Sequence, residues 1–451
     1  MKDRLLIKGA RVICPANGID KKIDVLVDAG EIKDTGVNIG ASDGAISINA
    51  TGLVLAPGLI DLHCHLREPG FEYKETVRSG TAAAVKGGFT TICAMPNTNP
   101  VADNATAIQS LMDKAKGQPA RVLPIGAATK NSAGKELTEM ADMVDAGAIG
   151  FSDDGNPISS DILMRHALEY SSALGVPIID HCEVSSLFTN GQINEGWIAS
   201  RLGLQGIPAA AEEQMVNRNI ALAKLTGGWV HLAHVSTKGS VDSIRRAKKL
   251  GVRITAEATP HHLTLTEEAV LHRPGSSGIY KPLSEDAYNT MSKVNPPLRT
   301  QEDVDALVEG LADGIIDIIA TDHAPHAYTE KLCPMQEAAF GISNLETAFA
   351  SALSLVHNKK LNLPRLIESM ASSPARLLQT SNKKIGQITK GFSADLTLFD
   401  MNTGWTVDTN QFVSKGKNSP LHGQKLKGKV ILTIYKGQVV YSELNKDLLY
   451  T

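Results

Sequence analysis

The chain has 451 residues, 42% hydrophobic and 21% charged, which suits one large globular α/β unit with a smaller companion and excludes a fibrous or disordered chain. Lysine plus arginine (45) nearly balances aspartate plus glutamate (48), and the net charge of −3 argues against a nucleic-acid partner. With no apolar run of about 18 residues, no secretory signal at its start and five scattered cysteines (Cys14, Cys64, Cys93, Cys182, Cys333) that suit free thiols, the chain is expected to avoid the membrane and to work in the cytoplasm.

In chain order, Leu5-Leu6-Ile7, Val12-Ile13 and Ile23-Asp24-Val25-Leu26-Val27 come first, as short β-type runs separated by Gly, Asn and Asp turns. The middle then alternates apolar β runs with amphipathic helical stretches. The runs are 54–65, 89–95, 122–127, 148–151, 176–181, 229–235, 252–258 and 315–321. Between the fourth and fifth, Asp161–Leu174 places Leu163, Ala167, Tyr170 and Leu174 on one helical face, with His166 read as core. Eight β-then-α units predict a (β/α)8 TIM-type barrel, and no Gly-rich phosphate loop follows the first run to favour a doubly wound sheet. Segment 272–293, rich in Gly, Ser and Pro, reads as a long surface loop. The last segment returns to β patterning. Ala394-Asp395-Leu396-Thr397-Leu398-Phe399 alternates with period two, and the two apolar runs around Lys436-Gly437 read as a hairpin. The expected fold is therefore α/β, a barrel over 57–388 with a small β-sandwich domain built from both chain ends, 1–56 and 389–451.

In such a barrel the site lies at the C-terminal ends of the strands, so the residues that end each run are informative. The first ends in Asp61-Leu62-His63-Cys64-His65, where alternate residues point the same way, so His63 and His65 can reach one metal while Cys64 faces away. The fourth ends in Ser152-Asp153-Asp154, the fifth in Asp180-His181-Cys182-Glu183, the sixth near His234 and the eighth in Thr321-Asp322-His323. Four histidines and two aspartates exceed the three ligands of one catalytic zinc and suit two ions, one carboxylate bridging; spacing alone does not choose between Asp153 and Asp154. An isolated histidine at a strand end is usually structural; here the joint pattern carries the reading. Cys64 and Cys182 read as packing residues. His231 is expected to face away from His234, His261-His262 to lie outside the ligand set, and His272, His357 and His422 to be surface or loop residues.

The motifs Pro57-Gly58-Leu59-Ile60-Asp61-Leu62-His63-Cys64-His65-Leu66-Arg67-Glu68-Pro69-Gly70, Met95-Pro96-Asn97-Thr98, His181-Cys182-Glu183, Pro260-His261-His262, Asn295-Pro296-Pro297-Leu298-Arg299, Thr321-Asp322-His323-Ala324-Pro325-His326, Phe340-Gly341 and Ser414-Lys415-Gly416-Lys417-Asn418-Ser419-Pro420 resemble the amidohydrolase superfamily, and within it the dihydroorotases of the long bacterial type. The resemblance implies a hydrolase with two zinc ions per subunit, one held by His63, His65 and Asp322, the other by His181 and His234, with Asp154 as the bridge. Related hydantoinases and allantoinases usually bridge with a carboxylated lysine, which Phe151-Ser152-Asp153-Asp154 does not offer. It also implies a small-molecule reaction of pyrimidine synthesis, the reversible cyclisation of N-carbamoyl-L-aspartate to L-dihydroorotate, with Asp322 as general base and acid. Arg67, Asn97 and His326 would hold the substrate carboxylate, and Asn295 and the backbone at Phe340-Gly341 the ring. The competing reading for Arg67 is a surface salt bridge with Glu68. The polar segment 327–339 is placed where lids occur. A homodimer, and association with aspartate carbamoyltransferase, complete what the resemblance implies. The alternatives are another cyclic amidase of hydantoinase or allantoinase type, or a non-catalytic scaffold homologue of aspartate carbamoyltransferase complexes.

Overall fold

The computed structural model describes residues 4–40, 44–271, 288–378, 384–444 and 449–450. Residues 272–287 of the expected long loop, His272 among them, lie outside that description.

Eight parallel positions close into a ring. Leu59–Cys64, Phe89–Ala94 and Arg121–Pro124 pair in sequence, and Ile178–Asp180, Val230–Leu232, Ile254–Ala258 and Ile318–Ile319 pair in a second group. The fourth position is reduced to Phe151, which bridges Gly126 on one side and Ile178 on the other, and Cys64 bridges His323 to complete the circle. This shortening has a local cause. Directly after Phe151, Asp153 turns back and accepts from the backbone N–H of Ala128 (2.9 Å) and Thr129 (3.0 Å), pulling the chain off the strand path.

The helices between strands bury one face each in a core shared with the outer side of the strands. Val77–Lys86 and Gln301–Ala312 begin with capping boxes at Thr76 and Thr300, each worth about 1 kcal/mol. Asp161–Leu174 corrects the expected face. Met164, Ala167, Leu168 and Ser171 are its buried residues, whereas Leu163, Tyr170 and Leu174 are half-buried at the margin and His166 is exposed. The buried stripe is rotated by about one residue from the expected one. His357 is half-buried in the last turn of Ala348–His357, and His422 is exposed.

The two chain ends form one nine-stranded sheet. Val54–Pro57 is its hinge element, parallel to Arg4–Cys14 and antiparallel to Leu396–Thr406, with Leu396 opposite Pro57 and Leu398 opposite Leu55. Leu5, Ile7, Val12, Val25 and Val27 from one end pack with Leu396, Leu398, Leu432 and Ile434 from the other in a separate sandwich core. Gly58 then leads straight into the first barrel strand, and a Cβ there would meet Thr90 Oγ1 at 2.2 Å. Thr397 Oγ1 donates to Gly88 O (2.6 Å) and Arg121 to Asp395 (2.9 Å), fixing the sheet against the barrel floor.

Candidate metal centre and substrate cavity

His65 lines a cavity at the C-terminal mouth of the barrel, His63 turns its Nε2 toward Asp154 and Asp322 in the wall of that cavity, and Cys64 packs outward in the strand–helix core. The side chains from distant strand ends meet there. His63 Nε2 lies 3.5 Å from Asp154 Oδ1 and 3.6 Å from Asp322 Oδ1. His65 Nε2 lies 3.2 Å from Asp322 Oδ1 and 3.5 Å from Asp154 Oδ2. His181 Nδ1 and His234 Nε2 face each other at 2.9 Å, and lie 3.8 and 3.6 Å from Asp154 Oδ1. Asp154 thus stands between two groups, with His63, His65 and Asp322 on one side and His181 and His234 on the other. Possible ligand atoms of His63, Asp154 and His234, and again of His63, His65 and Asp322, fall within 4.8 Å of one another. The spacing that left Asp153 and Asp154 open is decided by side-chain direction, since the Asp153 carboxyl is taken up by Thr129 and the Ala128 N–H and burial pushes it up to about 6.

Burial opposes ionisation of Asp154 and Asp322, but the neighbouring His63 for both, followed by His234 for Asp154 and His65 for Asp322, holds them below the usual carboxylate range. Burial likewise pulls the His63 imidazole down, and Asp154, Glu257 and Asp322 outweigh it, lifting it well above its ordinary value. A pocket this rich in buried carboxylate calls for compensating positive charge. His63 Nε2 and Asp154 Oδ1 are both buried without a hydrogen-bond partner, the pattern left by donor atoms turned toward a cation. Arg67 (φ 61°), His234 (φ 30°) and Asp322 (φ 44°) occupy the left-handed region that L side chains avoid, a strain of roughly 1–3 kcal/mol each that clusters at working sites.

The cavity measures about 370 Å³, room for a small molecule. Its wall includes Arg67, Asn97, Asn295, His326, Phe340 and Gly341 beside the histidines and aspartates. Arg67 is half-buried and does not pair with Glu68, which is held by Lys114 at 2.7 Å. Instead Arg67 Nε donates to Pro325 O (3.3 Å) and its Nη2 approaches His326 Nε2 (3.4 Å). Among the described residues it has no carboxylate within ion-pair distance. His326 Nε2 lies 2.7 Å from Phe340 O and so carries the proton; burial, then the charges of Arg67, Lys74 and Lys331, push this imidazole down to about 2. Asn97 Oδ1 is 2.8 Å from His65 Nδ1, and its Nδ2 is 3.3 Å from Asp154 Oδ2. Asn295 donates to Glu183 at 2.8 Å. The Gly341 N–H donates to Lys293 O and its carbonyl accepts from Lys331 and Asn418. A Cβ at Gly341 (φ 141°) would meet Ala324 Cβ at 2.7 Å, so only glycine lets the backbone come this close.

The sequence profile of the family described as Dihydro-orotase-like matches residues 52–240. The curated protein named Dihydroorotase from Syntrophus aciditrophicus (strain SB) is 47% identical over 98% of this chain and 100% of its own length. That from Caldanaerobacter subterraneus subsp. tengcongensis is 48% identical over 98% of both chains. This chain belongs to the dihydroorotase family. Among solved structures, the L-hydantoinase (dihydropyrimidinase) of Arthrobacter aurescens superimposes with a TM-score of 0.84 at 26% identity, covering 99% of this chain and 97% of that one, and so shares the barrel-and-sandwich fold.

Dihydroorotase motifs explain some of the residues around the cavity; the sequence assigns no role to several supports that the structure places beside it. Glu257, fully buried, accepts from His63 Nδ1 at 2.7 Å and touches His231 at 3.1 Å. His231, expected to face away, therefore connects to His63 through Glu257, while its Nδ1 meets Thr255 (2.8 Å). A glutamate inside the apolar strand Ile254–Ala258 was the available signal. Glu183 touches both Asn295 and, at 3.7 Å, His181 Nε2. Phe188 lines the cavity with its ring 5.9 Å from that of Phe340. Asn418 of the late motif accepts from the His326 N–H (2.9 Å) and donates to Ala324 O (3.0 Å), tying the C-terminal segment to the cavity wall. His261 and His262 are buried behind the cavity, bonded to Asn344 and to Pro296 O.

Proposed function

We propose that this chain catalyses the reversible cyclisation of N-carbamoyl-L-aspartate to L-dihydroorotate. One observation carries the reading: Arg67, a half-buried cation without a carboxylate partner among the described residues, stands in the same 370 Å³ cavity as the aspartates and histidines of the cluster. A half-buried guanidinium facing a cavity with no anion leaves donors unmet, and a substrate carboxylate supplies the missing partner bidentately.

Two zinc ions per subunit are assigned, His63, His65 and Asp322 to one, His181 and His234 to the other, with Asp154 between them. The residues fit such ions, because the two orphaned buried atoms, His63 Nε2 and Asp154 Oδ1, point into the gap. When bound, the ions supply a water of lowered pKa and an electrophile for the amide carbonyl. The chain's own groups do the rest. Asp322, kept ionised, takes the proton lost by the attacking water and returns it to the departing ring nitrogen, and reverses both transfers during cyclisation. Arg67 and Asn97 hold the free carboxylate; His326, assigned to it by the family motif, spends its one N–H on Phe340 O and contributes only if the substrate carboxylate takes that proton in place of the carbonyl. Asn97 contributes its Nδ2, since its Oδ1 is engaged by His65. Asn295 and Phe340 flank the ring, and Gly341 acts by close backbone approach, its N–H and carbonyl being already bonded.

Side-by-side turnover of dihydroorotate, hydantoin and allantoin tests the proposal. Dihydroorotate should be the strongly preferred substrate; preference for either of the others would replace this reading with another cyclic amidase. The scaffold alternative requires a purified protein without metal or turnover. We further propose cytoplasmic action as a homodimer, an association with aspartate carbamoyltransferase, and the division into 57–388 and a domain of 1–56 with 389–451. Shared pairing of Val54–Pro57 with strands of both ends supports that division.

A further inference from the structure

Lys331 stands in the polar stretch Tyr328-Thr329-Glu330-Lys331, where a lysine is ordinarily solvated. Here it is 0% exposed. Its ammonium donates to three backbone carbonyls: Lys293 O at 3.0 Å, Ala339 O at 2.8 Å and Gly341 O at 3.0 Å. Three N–H groups thus meet three acceptors, which is the full donor capacity of an ammonium. Among the described residues no carboxylate pairs with it; the adjacent Glu330 is taken by Lys74 at 2.7 Å. A buried lysine without a counter-anion is expensive, so its retention asks for a reason.

The carbonyls supply one. Lys293 lies two residues before Asn295, and Ala339 and Gly341 flank Phe340. Asn295, Phe340 and Gly341 all line the cavity. The Gly341 N–H donates to Lys293 O at 3.0 Å, so the same carbonyl receives both the ammonium and the opposite strand of the cavity wall. Lys293 turns its own ammonium to Met335 O (2.6 Å) and lies 4.4 Å from the centre of the Phe340 ring. The segments after the seventh and eighth barrel strands are therefore joined through one nitrogen atom. Glutamine offers two donors and leaves one carbonyl unmet; arginine's planar fork is longer and differently shaped.

We propose that Lys331 is a positioning residue for the substrate: its ammonium clamps the Asn295 segment to the Phe340–Gly341 segment and so sets the width of the ring-binding end of the cavity. The inference rests on the functional reading above, since it takes this cavity as the substrate site. Lys331 contacts none of the proposed metal ligands, so its loss acts on binding geometry and leaves the metal centre in place.

The test compares Lys331→Met and Lys331→Gln with the wild-type holoenzyme, assaying N-carbamoyl-L-aspartate and dihydroorotate and measuring bound zinc. KM should rise about ten-fold or more in the Met variant and by less in the Gln variant, with kcat within about threefold and zinc unchanged. Chymotrypsin should also cut faster at Tyr328 or Leu332, both exposed. If the Met variant does not fold, the Gln variant carries the test alone. A folded variant with wild-type KM, or one that loses kcat at constant KM, would overturn the role of Lys331 while the wild type remains active. A zinc-loaded wild type that turns over neither compound would instead overturn the functional reading, and this inference with it.

Discussion

Glu257 Oε1 lies 2.7 Å from His63 Nδ1, with both side chains fully buried. The pair fixes the orientation of the imidazole: Nδ1 faces the carboxylate, so Nε2 is turned to Asp154 and Asp322. Burial opposes the charge on Glu257, but His63 and His231 outweigh it and keep the carboxyl well below its usual range. Such supports tune ligand basicity and typically carry 10–100-fold in metal affinity. Glu257→Gln, which keeps the volume and removes the charge, should weaken zinc binding by about that factor, read by competition with a chelator. Unchanged affinity would leave Glu257 a structural group only.

Removing the substrate's proposed counter-ion should act on binding. Arg67→Met is expected to raise KM by a loss of about 2–4 kcal/mol, with bound zinc unaffected. Arg67→Lys should recover only part, because an ammonium cannot reproduce the bidentate fork. A KM of wild-type size in the Met variant would place the carboxylate elsewhere.

Asp322→Asn removes the group that shuttles the proton. Turnover should fall by roughly 10²–10⁴ with the fold intact by circular dichroism. Zinc content is measured alongside, since the same side chain is assigned to a metal. Retention of most activity would show that another group carries the proton.

His326 is held neutral, at about 2, by burial and by Arg67, Lys74 and Lys331. A depressed value means that this imidazole gains its proton only far below assay pH, so KM should show no inflection from it near the ordinary histidine value of about 6.5. An inflection there in the wild type that disappears in His326→Asn would contradict this.

Much of the site was legible because a barrel makes sequence position into geometry. Each apolar run announces a strand, and the residues at its C-terminal end must lie at one rim, so His63, His65, His181, His234 and Asp322 could be placed together before any contact was known. Three things were not legible. Asp153 and Asp154 differ by one residue, and only the N–H groups of Ala128 and Thr129, distant in sequence, show which carboxyl turns away. His166 lies off the buried stripe because that stripe runs through Met164, Ala167, Leu168 and Ser171, and a shift of one residue leaves the helical period unchanged. Lys331 looks like a surface residue in a polar context, and its burial comes from loops folding over one another, which no local pattern encodes.

The central claim is that six side chains hold metal for the cyclisation of N-carbamoyl-L-aspartate, and zinc stoichiometry measured on the same sample as turnover tests it most directly. About two ions per chain are expected, with activity lost when a chelator strips them and regained when zinc is returned. Full turnover from a preparation carrying almost no metal would contradict it.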